Sequence, residues 1–220
     1  MRQDAGIHLN LWKKNLEQVP NWVWDQTGAE SLVLADNALT ELPAQIGLLR
    51  NLRMLDLGHN QLRELPDAFG TMQRLTDFLY LHDNQLHTLP TSVGSLKKLR
   101  YLNISENPFI EFPAIICELE SLMELRATDD SFESLPESIG RLVNLRELHL
   151  RNNHLTQLPE TIGALRELRQ LDLRGNPLES LPPALAELPR LEKLDLRWVT
   201  TLSPPAWLGN LEMRGCRVYW

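Results

Sequence analysis

Leu52 to Gly70 reads LRMLDLGHNQLRELPDAFG, and its spacing decides the fold. By position the stretch is LxxLxLxxNxLxxLPxxΦG, where Φ is apolar. The alternating leucines of LxL have the period of two expected of a strand. The asparagine that follows recurs as Asn37, Asn60, Asn84, Asn107, Asn153 and Asn176, with Asp130 in its place once. An amide at that fixed point can bond the backbone of the next coil and satisfy groups that a turn would otherwise bury unpaired. The proline presets φ for a short helical turn, and a glycine usually closes it, as Gly47, Gly70, Gly94, Gly140, Gly163 and Gly209 do.

The same proline recurs at Pro20, Pro43, Pro66, Pro90, Pro113, Pro136, Pro159, Pro182 and Pro205, in steps of 23 residues with one step of 24. One such unit cannot bury its leucines alone. Neighbours must therefore stack into a continuous core, with parallel strands about 4.8 Å apart. The pattern resembles the leucine-rich repeat, and its LPxxIG half is similar to the Ras-group repeats of intracellular plant and animal scaffold proteins, also seen in bacterial proteins. The resemblance spans roughly Gly6 to Asn210. It implies an α/β solenoid: a right-handed horseshoe with a parallel sheet on the concave face and short helical turns on the convex face. It also implies partner binding without naming the partner.

Composition sets limits. A chain of 220 residues with 43% hydrophobic content can form one domain with a sizeable core, and the repeat leaves no room for a linker, so a single domain is expected over 1–220, with about nine repeats and irregular caps. A net charge of −7 argues against a nucleic-acid or anionic-membrane surface. The first residues hold no apolar signal core and no stretch reaches the length of a membrane span, so a soluble cytoplasmic chain is expected. Cys117 and Cys216 lie about four coils apart, near 20 Å, too far to bridge. The sequon at Asn103 falls within a strand and reads as chance.

The leucines face inward, which leaves the intervening residues free to carry function. Three outward columns follow from the register. His8, Ser31, Met54, Phe78, Tyr101, Glu124, Glu147, Gln170 and Lys193 form the first, and Asn10, Val33, Asp56, Tyr80, Asn103, Arg126, His149, Asp172 and Asp195 the second. Trp12, Ala35, Gly58, His82, Ser105, Thr128, Arg151, Arg174 and Arg197 form the third. Two candidate protein-binding patches emerge. Met54, Phe78, Tyr80, His82 and Tyr101 cluster where a structural requirement alone would accept Ser or Thr, and exposed aromatic residues of this kind concentrate at interface hot spots. Cross-strand packing among the rings is the competing explanation. Arg126, His149, Arg151, Arg174 and Arg197 form the second patch, with Glu124, Glu147, Asp172 and Asp195 near enough to make a solvated ladder of ion pairs instead. Asp36, Asp83, Glu106 and Asp129 add an acidic stripe on the rim, so the face reads as acidic and aromatic at one end and Arg-rich at the other.

The 24-residue step places one extra residue between Leu75 and Leu79, inside the segment LTDFLYL, and predicts a bulge there; whether Phe78 turns in or out stays open. His59, His82, Asp83 and Asp36 share a sheet edge but fall short of the tightly fixed donors that zinc requires, so no metal site is assigned. No phosphate loop, nucleophile elbow or HExxH motif occurs, and Cys117 sits in the glycine slot, where a small inert side chain is expected. Lys14 and Val199 replace the asparagine at the ends, and Trp22, Trp24, Trp207, Tyr219 and Trp220 read as caps on the exposed core, with end-to-end dimerisation as the alternative.

The sequence therefore points to a non-catalytic, monomeric binding scaffold without a cofactor, holding a protein or peptide on its concave face. The rival is the substrate-recognition arm of a larger enzyme or bacterial effector, of ubiquitin-ligase, kinase or GTPase type. Effector ligases resemble the chain less closely, because their repeats are shorter and lack LPxxIG, and a repeat running almost to Trp220 leaves no room for a catalytic domain if the chain is whole.

Overall fold

Each LxL segment becomes a short strand, and the strands stack in chain order into one parallel sheet of ten, β1 to β10. The computed structural model describes residues 6–220, so the first five residues of the expected domain lie outside the described residues. The strands are β1 Ile7–Asn10, β2 Ala29–Val33, β3 Met54–Asp56, β4 Phe78–Tyr80, β5 Tyr101–Asn103, β6 Glu124–Arg126, β7 Glu147–His149, β8 Gln170–Asp172, β9 Lys193–Asp195 and β10 Arg217–Tyr219. Opposite the sheet, prolines with φ between −60° and −70° start one-turn 3-10 helices such as Ala44–Leu48, Thr91–Ser95 and Glu137–Arg141. The result is a leucine-rich repeat solenoid.

The inward leucines meet in a single core. Leu55, Leu57, Leu79, Leu81, Leu102, Leu148 and Leu150 are fully buried, and so are the turn residues Ile46, Val93, Ile116, Ile139 and Ile162 that close the far side. At positions where other coils carry leucine, Phe109, Phe112 and Phe132 thicken the middle of the stack, with ring centroids 5.4 and 6.1 Å apart.

The asparagines link coils, but toward the preceding coil rather than the next. Asn60 Oδ1 accepts the Leu39 N–H at 3.1 Å, while its Nδ2 donates to the carbonyls of Leu34 at 3.0 Å and Leu57 at 3.1 Å. Asn84, Asn107, Asn153 and Asn176 repeat this arrangement. The residue before each asparagine turns the chain out of the strand in a left-handed conformation, with φ between 50° and 67° from Lys13 through Gly175 to Trp198. Asp, Asn and His tolerate that region better than most side chains, which accounts for much of the rim composition.

Two expectations change. The extra residue does not bulge within a strand, because β4 pairs in unbroken register with β3 and β5. It sits at the mouth of β4, where the N–H groups of Asp77 and Phe78 share the Arg53 carbonyl, and Asp77 forms an ion pair with Arg53 at 3.0 Å. The C-terminal tail adds a strand beyond the expected nine repeats. Helix α1, Leu208–Met213, buries Leu208 and Leu211, and β10 then pairs in parallel with β9. Trp24 is buried and Trp207 packs against the core as a cap should, whereas Trp22, Tyr219 and Trp220 remain largely exposed.

Asp130 breaks the asparagine series in a telling way. Its Oδ1 accepts the Asn107 N–H at 2.9 Å, but Oδ2 is buried without a partner at the point where an asparagine would present its donating amide. Burial, with Asp129 and Glu106 adding to it, pushes the carboxyl up to about 8 from 3.8, so the folded chain holds it as a neutral acid able to act as a donor. The unfolded chain releases this proton near the ordinary value, so this group's contribution to stability declines as pH rises from about 4 to about 8. Melting curves across that window should show Asp130→Asn raising the melting temperature, with the largest gain at the alkaline end. A variant that keeps the wild-type slope would contradict this account.

Candidate functional site: the concave sheet

Strand alternation fixes which side chains reach the concave surface. Met54, Phe78 and Tyr101 are register partners on β3, β4 and β5, and Asp56, Tyr80 and Asn103 form the parallel row beside them. Phe78, undecidable from the sequence, points outward and is 42% exposed, because the inward positions on either side of Tyr80 belong to Leu79 and Leu81. The three rings touch one another, with centroids 4.9 Å apart for Tyr80 and Tyr101, 5.4 Å for Phe78 and Tyr101, and 5.9 Å for Phe78 and Tyr80. Partial burial raises the Tyr80 phenol above its usual range and pushes Tyr101 up to about 12, so both hydroxyls stay protonated as hydrogen-bond donors. Shallow hollows flank Phe78 on both sides, walled by Ser31, Arg53 and Met54 on one side and by Arg100, Tyr101 and Met123 on the other. The platform is open, with Phe78 exposed and Tyr80 and Tyr101 half-buried beside it.

His82 belongs to the same patch but faces differently. Its ring lies over Gly58, where an added Cβ would come within 2.3 Å of the imidazole, and this close approach explains the glycine. Its Nδ1 is buried without a partner, and desolvation lowers its pKa, which keeps the ring neutral. The neighbouring His59 is raised instead by its 2.6 Å hydrogen bond to Asp83.

The arginines do not form one ladder. Arg126 lies a column away from Arg151, Arg174 and Arg197, and each of the four is matched to its own carboxylate. Arg126 pairs with Glu124 at 2.7 Å, Arg151 with Asp129 at 2.7 Å, Arg174 with Asp172 at 2.5 Å and Arg197 with Asp195 at 2.8 Å. Asp195 is fully buried beneath Arg174, Lys193 and Arg197. Although burial opposes it, the combined bonds and charges of those arginines hold its carboxyl below the usual range. This end of the face is charge-balanced locally rather than presenting a free cationic surface.

Among the described residues, the cluster that brings three potential metal donors together is Glu124, Glu147 and His149, whose ligand atoms lie within 4.8 Å of one another. His149 Nε2 lies 3.3 Å from Glu147, and Arg126 holds Glu124, so the two carboxylates already have partners.

Sequence reasoning missed two aromatic residues here. Trp198 takes the left-handed position with φ 64° and is 66% exposed, with the guanidiniums of Arg174 and Arg197 over its ring at 6.0 and 5.8 Å. Tyr219, expected in a cap, continues the middle column on β10, 5.6 Å from Arg197. The available signal for Trp198 was a bulky aromatic residue at a position that elsewhere holds Asp, His, Asn, Gly, Lys or Glu.

Cys117 and Cys216 are buried and unbridged, and burial raises both thiols above their ordinary range. Both should react slowly with a thiol reagent in the folded protein at mildly alkaline pH, and both should be counted after denaturation without reductant. Rapid stoichiometric labelling of the native chain would contradict the burial.

Comparison with known proteins agrees with this geometry. Residues 133–213 match the leucine-rich repeat region family, and residues 27–86 and 98–119 match two further leucine-rich repeat families. Among solved structures, the leucine-rich repeat domain of the type III effector XopL is 31% identical with a TM-score of 0.75, over 90% of this chain and 78% of that one. A leucine-rich repeat protein of Leptospira interrogans is 25% identical with a TM-score of 0.54, over 91% of this chain and 63% of its own. The ectodomain of an Arabidopsis thaliana membrane receptor kinase, solved in complex with Casparian strip integrity factor 2, is 27% identical with a TM-score of 0.67, over 92% of this chain and 28% of that one. The chain thus spans less than two thirds of the Leptospira and Arabidopsis chains.

Proposed function

Because this chain belongs to the leucine-rich repeat family, we propose that it is a non-catalytic binding scaffold whose concave sheet holds a protein or peptide partner. The observation that carries this reading is the platform of Phe78, Tyr80 and Tyr101, three rings in mutual contact at outward positions that the repeat leaves unconstrained. Met54 extends it, and Asp56 stands directly across from Tyr80 without an ion-pair partner among the described residues. A partner would bury the rings and meet the two phenolic hydroxyls, the combination found at interface hot spots. Arg126, Arg151, Arg174 and Arg197 then contribute orientation more than affinity, since each must share its carboxylate to make a new contact.

We further propose that the chain acts as a single-domain monomer over 1–220 in the cytoplasm. Among the described residues no helix is long and apolar enough to cross a membrane. The second reading, a recognition arm within a larger enzyme or effector, draws on the likeness to an effector's repeat domain. An immunoblot of the native protein separates the two, because an arm would run as a chain much longer than 220 residues.

The site itself is tested with Tyr80→Ala/Tyr101→Ala and Leu57→Ala. The tyrosine pair touches the core little, so its melting curve should stay close to wild type while partners recovered by affinity purification and mass spectrometry are lost. Truncating an aromatic hot spot typically costs about 2 kcal/mol or more of affinity. Leu57→Ala should cost about 2–5 kcal/mol of stability through the cavity it leaves, with the partners retained below its melting point. If the double variant melts normally and keeps every partner, the aromatic patch is only cross-strand packing, and the arginines become the better candidates.

A further inference from the structure

Away from the concave face, the coil at Phe109-Ile110-Glu111-Phe112-Pro113-Ala114-Ile115 departs from its own repeat. The position after the first buried residue of LxxLP carries Arg63, His87, Glu133 and Thr156 in the surrounding coils, and Ile110 here. Two residues past the proline the surrounding coils carry Ala68, Ser92, Ser138 and Thr161, and this one carries Ile115. Ile115 covers Gly94 of the preceding coil, within reach of where a Cβ would stand, but Ile110 is 64% exposed. Leu89, beside it, is only partly buried, whereas its counterparts Leu65, Phe112 and Leu135 are 6–7% exposed. A hollow of about 500 Å³ opens between the two coils, walled by Leu89, Pro108, Ile110, Phe112, Pro113 and Ile115. No requirement of the repeat explains an exposed Ile110 beside two further apolar side chains, Leu89 and Ile115, that are only partly buried.

The surroundings of the hollow are acidic. Glu64, Asp67, Glu111, Glu133 and Glu137 occupy this flank from the third to the sixth coil, all exposed, and none pairs with a basic side chain among the described residues. Among the same positions only Arg63 and His87 are basic. The acids of the concave face, by contrast, are largely matched by arginine. Further along, the equivalent hollow between later coils is lined by Glu137 and Glu160. An apolar socket set in an unneutralised acidic field complements a cationic segment bearing one large apolar residue, because the charges steer the encounter and the buried side chain anchors it.

We propose that the Ile110 hollow is a second docking site, separate from the concave sheet, for a basic protein segment that inserts one large apolar side chain among Leu89, Ile110 and Ile115. The lysines or arginines flanking that anchor meet Glu111 on the coil of Ile110, Glu133 on the coil after it and Glu64 on the coil before that of Leu89.

A random-peptide display library tests this, panned on the wild-type protein, on Ile110→Arg and Ile110→Ser, and on Tyr80→Ala/Tyr101→Ala. The exposure of Ile110 means that both of its variants should melt as wild type does. The expected result is an enriched family of peptides carrying an apolar residue between lysines or arginines. These peptides should bind the tyrosine variant unchanged, weaken about tenfold or more on Ile110→Arg and less on Ile110→Ser, and weaken further with added salt. The proposal is overturned if no enriched family is weakened by either Ile110 variant, if the family is acidic or uncharged, or if sedimentation shows wild type but not Ile110→Arg self-associating, which would make a second copy the occupant.

Discussion

The hydrogen bonds of the asparagine side chains are the constraint on which the rest of the molecule depends. A coil this short ends its strand with carbonyls facing the interior, where water cannot reach them. Asn60, Asn84, Asn107, Asn153 and Asn176 satisfy those carbonyls and at the same time accept an N–H from the coil before. Each amide therefore locks two coils at one spacing, and that spacing brings Leu55 over Leu79 and Leu79 over Leu102. Asp130 shows how strict the demand is. The chain tolerates a carboxyl there only by holding it neutral, which couples one link of the stack to pH.

From this lock follows the division of labour around each coil. The inward positions are committed to leucine and the left-handed position to residues that accept positive φ, which leaves the outward columns free. Within those columns, charge and aromaticity behave differently. Arg126, Arg151, Arg174 and Arg197 each find a carboxylate within their own coil or the neighbouring one, so their charge is spent internally. The rings of Phe78, Tyr80 and Tyr101 contact one another yet keep an open face, since aromatic side chains on adjacent strands cannot bury themselves without a third layer. The same logic isolates Ile110 on the flank: a repeat position is either required by the stack or available to a partner.

Much was determined by the sequence alone, because a periodic chain makes geometry a matter of counting. The spacing from proline to proline, the LxL alternation and the recurring asparagine established the solenoid, the parallel register and the residues aligned in each column from His8 to Arg197, although Ala35, Gly58, Ser105, Asp172 and Asp195 in those columns are buried. Those relations are local, and each coil repeats them under the same constraints. What only the tertiary structure decided arose wherever periodicity fails or side chains choose among partners. Phe78 turns outward because the extra residue is absorbed before β4 rather than within it, which leaves β4 in unbroken register with β3. The arginines pair with carboxylates at several different offsets, and no count predicts which one a long flexible side chain will reach. Tyr219 joins the concave face because Leu208, Leu211 and Cys216 close the core and carry the tail into a tenth strand, though the repeat motif has already lapsed. That Leu89, Ile110 and Ile115 wall one hollow is decided by two neighbouring coils meeting in space rather than by either of them in sequence.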